Sequence, residues 1–168
     1  RKKLSKSNKK INIVDFGAGS NINNSQFRKI SDVIKNSAKN KKFGRLLYKL
    51  VEEYHPKNIL ELGTSLGIST SYLASAKPNS KVITFEGCKE TAKIAKQNFK
   101  YLNYSNIKLI LGEFNETLHK ELTHIKQVDL VFIDGNHKKE PTIHYFNSLL
   151  EYSNKTTIFI FDDIHWSA

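Results

Sequence analysis

The sequence predicts an α/β three-layer sandwich, a mostly parallel sheet with helices on both faces. Three observations predict it. Five short apolar runs, at residues 59–62, 82–86, 107–111, 130–134 and 157–161, are bounded by turn signals and read as buried strands. Segments of helical character lie between them, at 69–76, 89–102, 116–125 and 141–152. The chemistry-bearing residues gather at the carboxyl ends of the runs: Gly63, Glu86, Gly112-Glu113, Asp134 and Asp162-Asp163. Ligands of such sheets bind beyond those ends.

Residues 1–10 are mostly Lys, Ser and Asn with one apolar residue, Leu4, and read as disordered or loosely attached. Residues 11–16 suit a short strand running into Asp15-Phe16-Gly17-Ala18-Gly19-Ser20, an acid–glycine turn. A polar loop and no amphipathic helix follows it, so it reads as a turn closing over the site. Helical spacing starts at Phe27, Ile30, Ile34 and Ala38 and strengthens at Phe43, Leu46, Leu47, Leu50, Val51 and Tyr54. His55-Pro56 stops that helix. At the head of 89–102, Cys88 shares a face with Ala92, Ala95, Phe99 and Leu102, which makes it a packing residue. Pro141 suits a first helical turn. His55, His119, His124 and His144 lie in or beside helices with no matching partners and read as structural.

At 168 residues the chain supports one core. It has no apolar run of about 18 residues, so no membrane span is expected. One cysteine excludes an internal disulfide and fits a reducing cytoplasm. The start at Arg1 and the lack of methionine suggest that the sequence begins inside a longer gene product. The net charge of +11 is placed unevenly: residues 1–58 hold 15 Lys and Arg against 4 acids, and residues 59–168 hold 12 of each. The chain therefore divides into a basic N-terminal extension or lid, 1–42, and a core, 43–168. The extension offers a surface for an anionic substrate, nucleic acid or lipid headgroup. The plainer reading is a solvated leader, because clusters such as Lys39, Lys41 and Lys42 lack interleaved aromatics.

The richest stretch is Glu61-Leu62-Gly63-Thr64-Ser65-Leu66-Gly67-Ile68-Ser69. A strand ends in an acid and breaks into a glycine turn that opens a helix, where backbone N–H groups converge and no Cβ blocks close approach. Glu86 closes the next strand, about where a carboxylate takes both hydroxyls of a ribose. The glycines run Gly-x-x-x-Gly and not Gly-x-Gly-x-x-Gly, which argues against a dinucleotide. Asp134-Gly135-Asn136-His137 and Asp162-Asp163-Ile164-His165 leave the last two strands and bring three carboxylates and two imidazoles toward one crevice. Such carboxylates repel unless a cation or shared proton compensates, and a hard divalent ion is one answer. An imidazole, with an ordinary pKa of about 6.5, makes His137 a base candidate at neutral pH. Trp166 reads either as a pocket wall or as packing at the sheet edge.

The motif Glu61-Leu62-Gly63-Thr64-Ser65-x-Gly67-x-Ser69 resembles the first motif of the class I S-adenosylmethionine-dependent methyltransferases, in the form of their small-molecule O-methyltransferases. The resemblance runs from about residue 43 to the C-terminus. It implies a Rossmann-like sheet of seven strands, of which the last two would follow Ala168 in a longer chain or be lacking in a minimal form. It also implies a cofactor site of Glu61, Gly63, Thr64, Ser65, Gly67, Ser69, Glu86, Gly87, Gly112, Glu113, Phe114 and Asp134. In that site Glu61 and the turn hold the methionine end, Glu86 the ribose, and Glu113 and Phe114 the adenine. The metal-dependent catechol and caffeoyl-coenzyme A types carry an Asp after the fourth strand and an Asp-Asn pair after the fifth. Asp134 and Asp162 fit the Asp positions and Asp163 replaces the Asn, which implies Mg2+ or another divalent cation on Asp134, Asp162 and Asp163. The catechol types place a lysine base where this chain has His137, with Lys138 and Lys139 out of register, so the metal and the base stay open. The expected reaction is in-line methyl transfer to a small hydroxylated acceptor, with His137 and Asp134 catalytic and a homodimer as the assembly allowed. Two alternatives stand beside it: an RNA methyltransferase gripping through the basic extension, and a non-catalytic nucleoside-binding module.

Overall fold

The computed structural model describes residues 1–14 and 26–164. The turn at Gly17–Ser20 and the side chains of His165 and Trp166 lie outside them. A two-stranded antiparallel ribbon, β1 (Lys10–Asn12) and β2 (Phe27–Lys29), leads into α1 (Ile30–Asn36) and α2 (Lys41–Tyr54). The core then alternates: β3 (Asn58–Leu62), α3 (Ile68–Ala76), β4 (Lys81–Glu86), α4 (Lys89–Tyr101), β5 (Ile107–Leu111), α5 (Phe114–Leu122), β6 (Leu130–Ile133), α6 (Lys139–Leu150) and β7 (Ile158–Phe161). The five core strands are parallel, in the order β5-β4-β3-β6-β7. The predicted α/β sandwich, with all five strands, is therefore present.

This order places the ligand crevice. The chain winds outward from β3 to β5, then crosses back to lay β6 on the other side of β3. Where winding reverses, two neighbouring crossovers leave on opposite faces and a gap opens above the strand ends. Strands β3 and β6 are covered on both faces, which is why β6 is apolar throughout and β3 is apolar from Ile59 on except for the buried Glu61. Leu60, Leu62, Val131 and Ile133 face α5 and α6 with Leu118, Leu122, Tyr145 and Leu149. Ile59, Leu130 and Phe132 face α2 and α3 with Leu47, Val51 and Leu73. Each such fully buried side chain stabilises the fold by roughly 1.5–3 kcal/mol. At the opposite edge the Asp129 carboxylate accepts from the backbone N–H of Lys57 (2.9 Å) and Asn58 (2.8 Å), fixing where β3 begins.

The N-terminal segment departs from expectation. Residues 1–10 are attached: a 3-10 turn (Leu4–Lys6) precedes β1, Ile30 N–H donates to Lys9 C=O (2.9 Å), and Ser31 N–H donates to Ser7 C=O (3.2 Å). Phe27 is in a strand, 61 % exposed, and the helix starts at Ile30. The apolar spacing expected from Phe27 is carried by Ile30, Val33 and Ile34, which cluster with Ile11, Leu66 and Ile94. Low hydrophobicity alone misjudged the leader, because the one buried residue of β1, Ile11, packs with an apolar helix beside it and β2 needs none. Two helix frames also shift. The helix expected at 116–125 starts earlier, at Phe114, and Pro141 is the third residue of α6, still within the turn whose N–H groups lack helical partners.

Candidate functional site

Leu62 ends β3 and Gly63 turns the chain with φ +107°. A Cβ there would stand 2.2 Å from the Asp134 carbonyl oxygen, so only glycine lets the tips of β3 and β6 approach this closely. The N–H groups of Gly63 (3.1 Å) and Thr64 (3.0 Å) both reach the Phe85 carbonyl, tying the turn to β4. Gly67, with φ +77°, supplies the residue before α3. Glu86 points toward this turn. Its Oε2 accepts from Ser65 N–H at 2.6 Å and its Oε1 from Cys88 N–H at 2.9 Å. A glycine turn and a carboxylate on neighbouring strand tips thus share one rim.

Beside that rim lies a cavity of about 590 Å³, a volume suited to a small ligand. Its walls include Gly63, Thr64, Ser65, Ser69, Glu86, Gly87, Glu113, Phe114, Asp134, His137 and Asp163 from the residues singled out in the sequence. Four others are not part of the wall: Glu61, Gly67, Gly112 and Asp162. Gly67 packs against the Phe99 ring and Gly112 against Thr117. Glu61 is fully buried, and its Oε2 accepts from Thr70 Oγ1 and, at 2.7 Å, from Thr84 Oγ1. Burial raises the Glu61 pKa, and the hydroxyl donors only partly offset that.

Ile13, Val14, Arg28, Val33 and Lys39 of the N-terminal segment form the opposite side of the cavity. Phe114 packs edge-on against Tyr145, with centroids 5.7 Å apart, and underlies Gly135. The turn after β6 places Asn136 (φ 72°) and His137 (φ 53°) in consecutive left-handed conformations. Asn136 Nδ2 donates to Tyr145 Oη at 3.0 Å, while its buried Oδ1 has no protein partner. Neither Asn136 nor Tyr145 was singled out in the sequence. Tyr145 falls within the helix expected at 141–152, and the Gly135-Asn136 pair is the local signal of a left-handed turn.

Lys39 had been grouped with the solvated lysines. Its side chain is instead 14 % exposed, with Nζ 3.0 Å from Asp134 Oδ1 and in contact with Asp162 Oδ2. The ammonium also lies 5.8 Å from the centre of the Phe43 ring. The expected three-carboxylate ion site is not assembled as the resemblance implied. The space between Asp134 and Asp162 holds an ammonium, and Asp163 is exposed with φ 51°. Among the described residues, no group of three or more His, Cys, Asp and Glu side chains is arranged to hold a metal ion. A divalent cation therefore does not fit the residues as they are folded. The compensating positive charge that the Asp134 and Asp162 carboxylates demand is present, but a lysine supplies it.

Burial pushes the Asp134 carboxyl from its ordinary 3.8 up to about 7, against the pull of Lys39 and with Glu61 and Asp163 adding to the rise. A carboxyl whose pKa is higher folded than unfolded contributes stability fully below about pH 4. That contribution is lost as pH climbs toward 7, in total about 4 kcal/mol at most. Comparing urea melts of wild type and Asp134→Asn at pH 5 and pH 8 checks this. Wild type should lose stability relative to the variant over that interval, and parallel curves would reject the shift. His137 Nε2 is 3.9 Å from Asp134 Oδ1, an ion-pair distance once the ring is protonated and too long for a hydrogen bond.

The family described as "Methyltransferase domain" matches residues 60–164. Among curated proteins, a catechol O-methyltransferase of Niastella koreensis is 32% identical over 124 residues, covering 72% of this chain and 55% of its own length. Among solved structures, the O-methyltransferase from Bacillus cereus in complex with SAH aligns with a TM-score of 0.71 at 28% identity, over 76% of this chain and 59% of that one. The O-methyltransferase TomG from Streptomyces achromogenes, solved with SAM, aligns with a TM-score of 0.71 at 25% identity, over 78% and 59%. The chain spans about half the length of the catechol O-methyltransferases it matches.

Proposed function

Because this chain belongs to the methyltransferase-domain family, matched over residues 60–164, we propose that it transfers the methyl group of S-adenosylmethionine to an oxygen of a small hydroxylated acceptor. One observation carries the reading. The Glu86 carboxylate and the Gly63 turn are joined by the Ser65 N–H bond and stand together on the wall of a cavity of about 590 Å³. The unpartnered Asn136 Oδ1 beside it is a second point in favour, since a buried acceptor without a partner favours a ligand donor. The Bacillus cereus and Streptomyces achromogenes relatives, solved with SAH and SAM, support the same cofactor.

S-adenosylmethionine supplies a methyl group already activated on a sulfonium, so the protein must orient, exclude water and manage one proton. In this reading Gly63, Thr64, Ser65 and Ser69 border the methionine end, and the Glu86 carboxylate receives the ribose hydroxyls. Glu113, Phe114 and Asn136 flank the adenine. Glu61, being walled off, acts from behind by holding Thr70 and Thr84 in place. His137 takes the acceptor proton, and Asp134 stabilises the resulting imidazolium. The acceptor O–H bond breaks toward that nitrogen, the O–CH3 bond forms as the S–CH3 bond breaks, and the sulfur keeps the electron pair.

No helix among the described residues is long and apolar enough to cross a membrane, and we take a diffusible acceptor in the cytoplasm as the working case. Titration calorimetry with S-adenosylhomocysteine tests the cofactor half of the proposal. One site with Kd on the order of 10 μM is expected, and absence of heat at millimolar ligand would refute it. Transfer of labelled methyl to a panel of phenols and to RNA tests the acceptor half. Label appearing in RNA alone would replace the small acceptor with the nucleic-acid alternative.

A further inference from the structure

The Lys39 contact is the feature that neither the family match nor the expected ion site explains. Lys39 lies in the bend between α1 and α2, just before the residue that caps α2. There the Asn40 side chain accepts from Phe43 N–H at 2.9 Å. That cap fixes the backbone from which the lysine stem extends. The stem runs past the Phe43 ring and delivers its ammonium to carboxylates on two adjacent strand tips. Both Asp side chains are 13% exposed, so the two negative charges stand close together with little water to screen them. Two carboxylates and an aromatic face around one ammonium make a complete cation site whose occupant is covalently part of the chain.

We propose that Lys39 is a tethered substitute for a divalent cation: it neutralises the Asp134–Asp162 pair and steadies the acceptor oxygen as it gives up its proton, so that methyl transfer proceeds without a metal. The ammonium borders the same cavity as His137, and an acceptor oxygen losing its proton to the imidazole there gains a negative charge that the ammonium offsets. Lys39 keeps its own proton, and no further reactant enters. A divalent ion and the ammonium compete for the same carboxylate oxygens, and each excludes the other by like charge. The catalytic part of this inference rests on the methyl-transfer reading; the competition between lysine and metal rests on geometry alone.

The experiment therefore has two independent readouts. Mn2+ binding followed by electron paramagnetic resonance should show no site in wild type at about 1 mM metal. In Lys39→Met, which keeps the stem and removes the charge, a site at least 10-fold tighter should appear. A tight Mn2+ site in wild type, or no gain in a folded Lys39→Met, overturns the inference whatever the activity. Methyl transfer by wild type should change less than 2-fold on adding EDTA and should fall at least 10-fold in Lys39→Met. Loss of wild-type turnover in EDTA, restored by Mg2+, also overturns it. Should Lys39→Met not fold, the wild-type Mn2+ and EDTA results alone decide. S-adenosylhomocysteine titration of the same samples keeps failure of the cofactor reading separate.

Discussion

Gly63→Ala should unfold the chain at markedly lower urea and abolish S-adenosylhomocysteine binding in whatever remains folded. Two costs combine. At φ +107° an L side chain is strained by itself, and the added Cβ would overlap the Asp134 carbonyl, 2.2 Å from the oxygen and 2.7 Å from the carbon. The obstacle is backbone on a buried strand tip and cannot swing away. Relief requires β3 and β6 to separate, which breaks the Asp134 N–H to Leu62 C=O bond of 2.8 Å next to the turn. A loss of roughly 3 kcal/mol or more is expected, measured as the shift in the urea midpoint at constant slope. A variant within about 1 kcal/mol of wild type would mean that the tips separate easily and that the rim of the cavity is not rigid.

Glu86→Ala should weaken S-adenosylhomocysteine about 100-fold, close to 2.8 kcal/mol, while leaving the sheet intact. The carboxylate is pre-set by two backbone N–H groups, at 2.6 Å and 2.9 Å, so binding a ribose diol costs no side-chain ordering. Charge-assisted bonds to two hydroxyls are worth about 1.5–3 kcal/mol each, part of which water returns. Alanine also strands the N–H groups of Ser65 and Cys88, so a modest fall in melting temperature accompanies the loss. Glu86→Gln separates the two effects. It keeps the shape and one acceptor oxygen, and should recover most of the stability but only part of the affinity. Equal affinity in wild type and Glu86→Ala would remove Glu86 from the ribose role.

What could be read from the sequence followed from periodicity and from where chemistry falls on a parallel sheet. Five strands, their carboxyl-end residues and the glycine turn beside Glu86 all depend on local pattern, and local pattern is visible in one dimension. Of the ribbon, a strand is expected at 11–16, where β1 holds Lys10–Asn12, but β2 is not, because three exposed or half-buried residues carry too little alternation to separate from the helix that follows. Lys39 was beyond reach for a different reason. Its partner Asp162 is 123 residues away, and in a chain with 27 Lys and Arg nothing local distinguishes the lysine that turns inward. That neighbouring aspartates at strand tips need positive charge follows from electrostatics; which group supplies it, and that Asp134 and Asp162 share it, depends on tertiary structure.

The apolar cluster of the N-terminal segment has a practical consequence for anyone shortening this chain. Ile11, Ile30, Val33 and Ile34 cover Leu66, inside the glycine turn, and Ile94, on α4. Trimming to residue 43 would bare two greasy side chains, one of them, Leu66, at the ligand mouth, and strip away the far bank of the recess. Such a fragment should self-associate and lose its grip on small molecules, even with every core strand present.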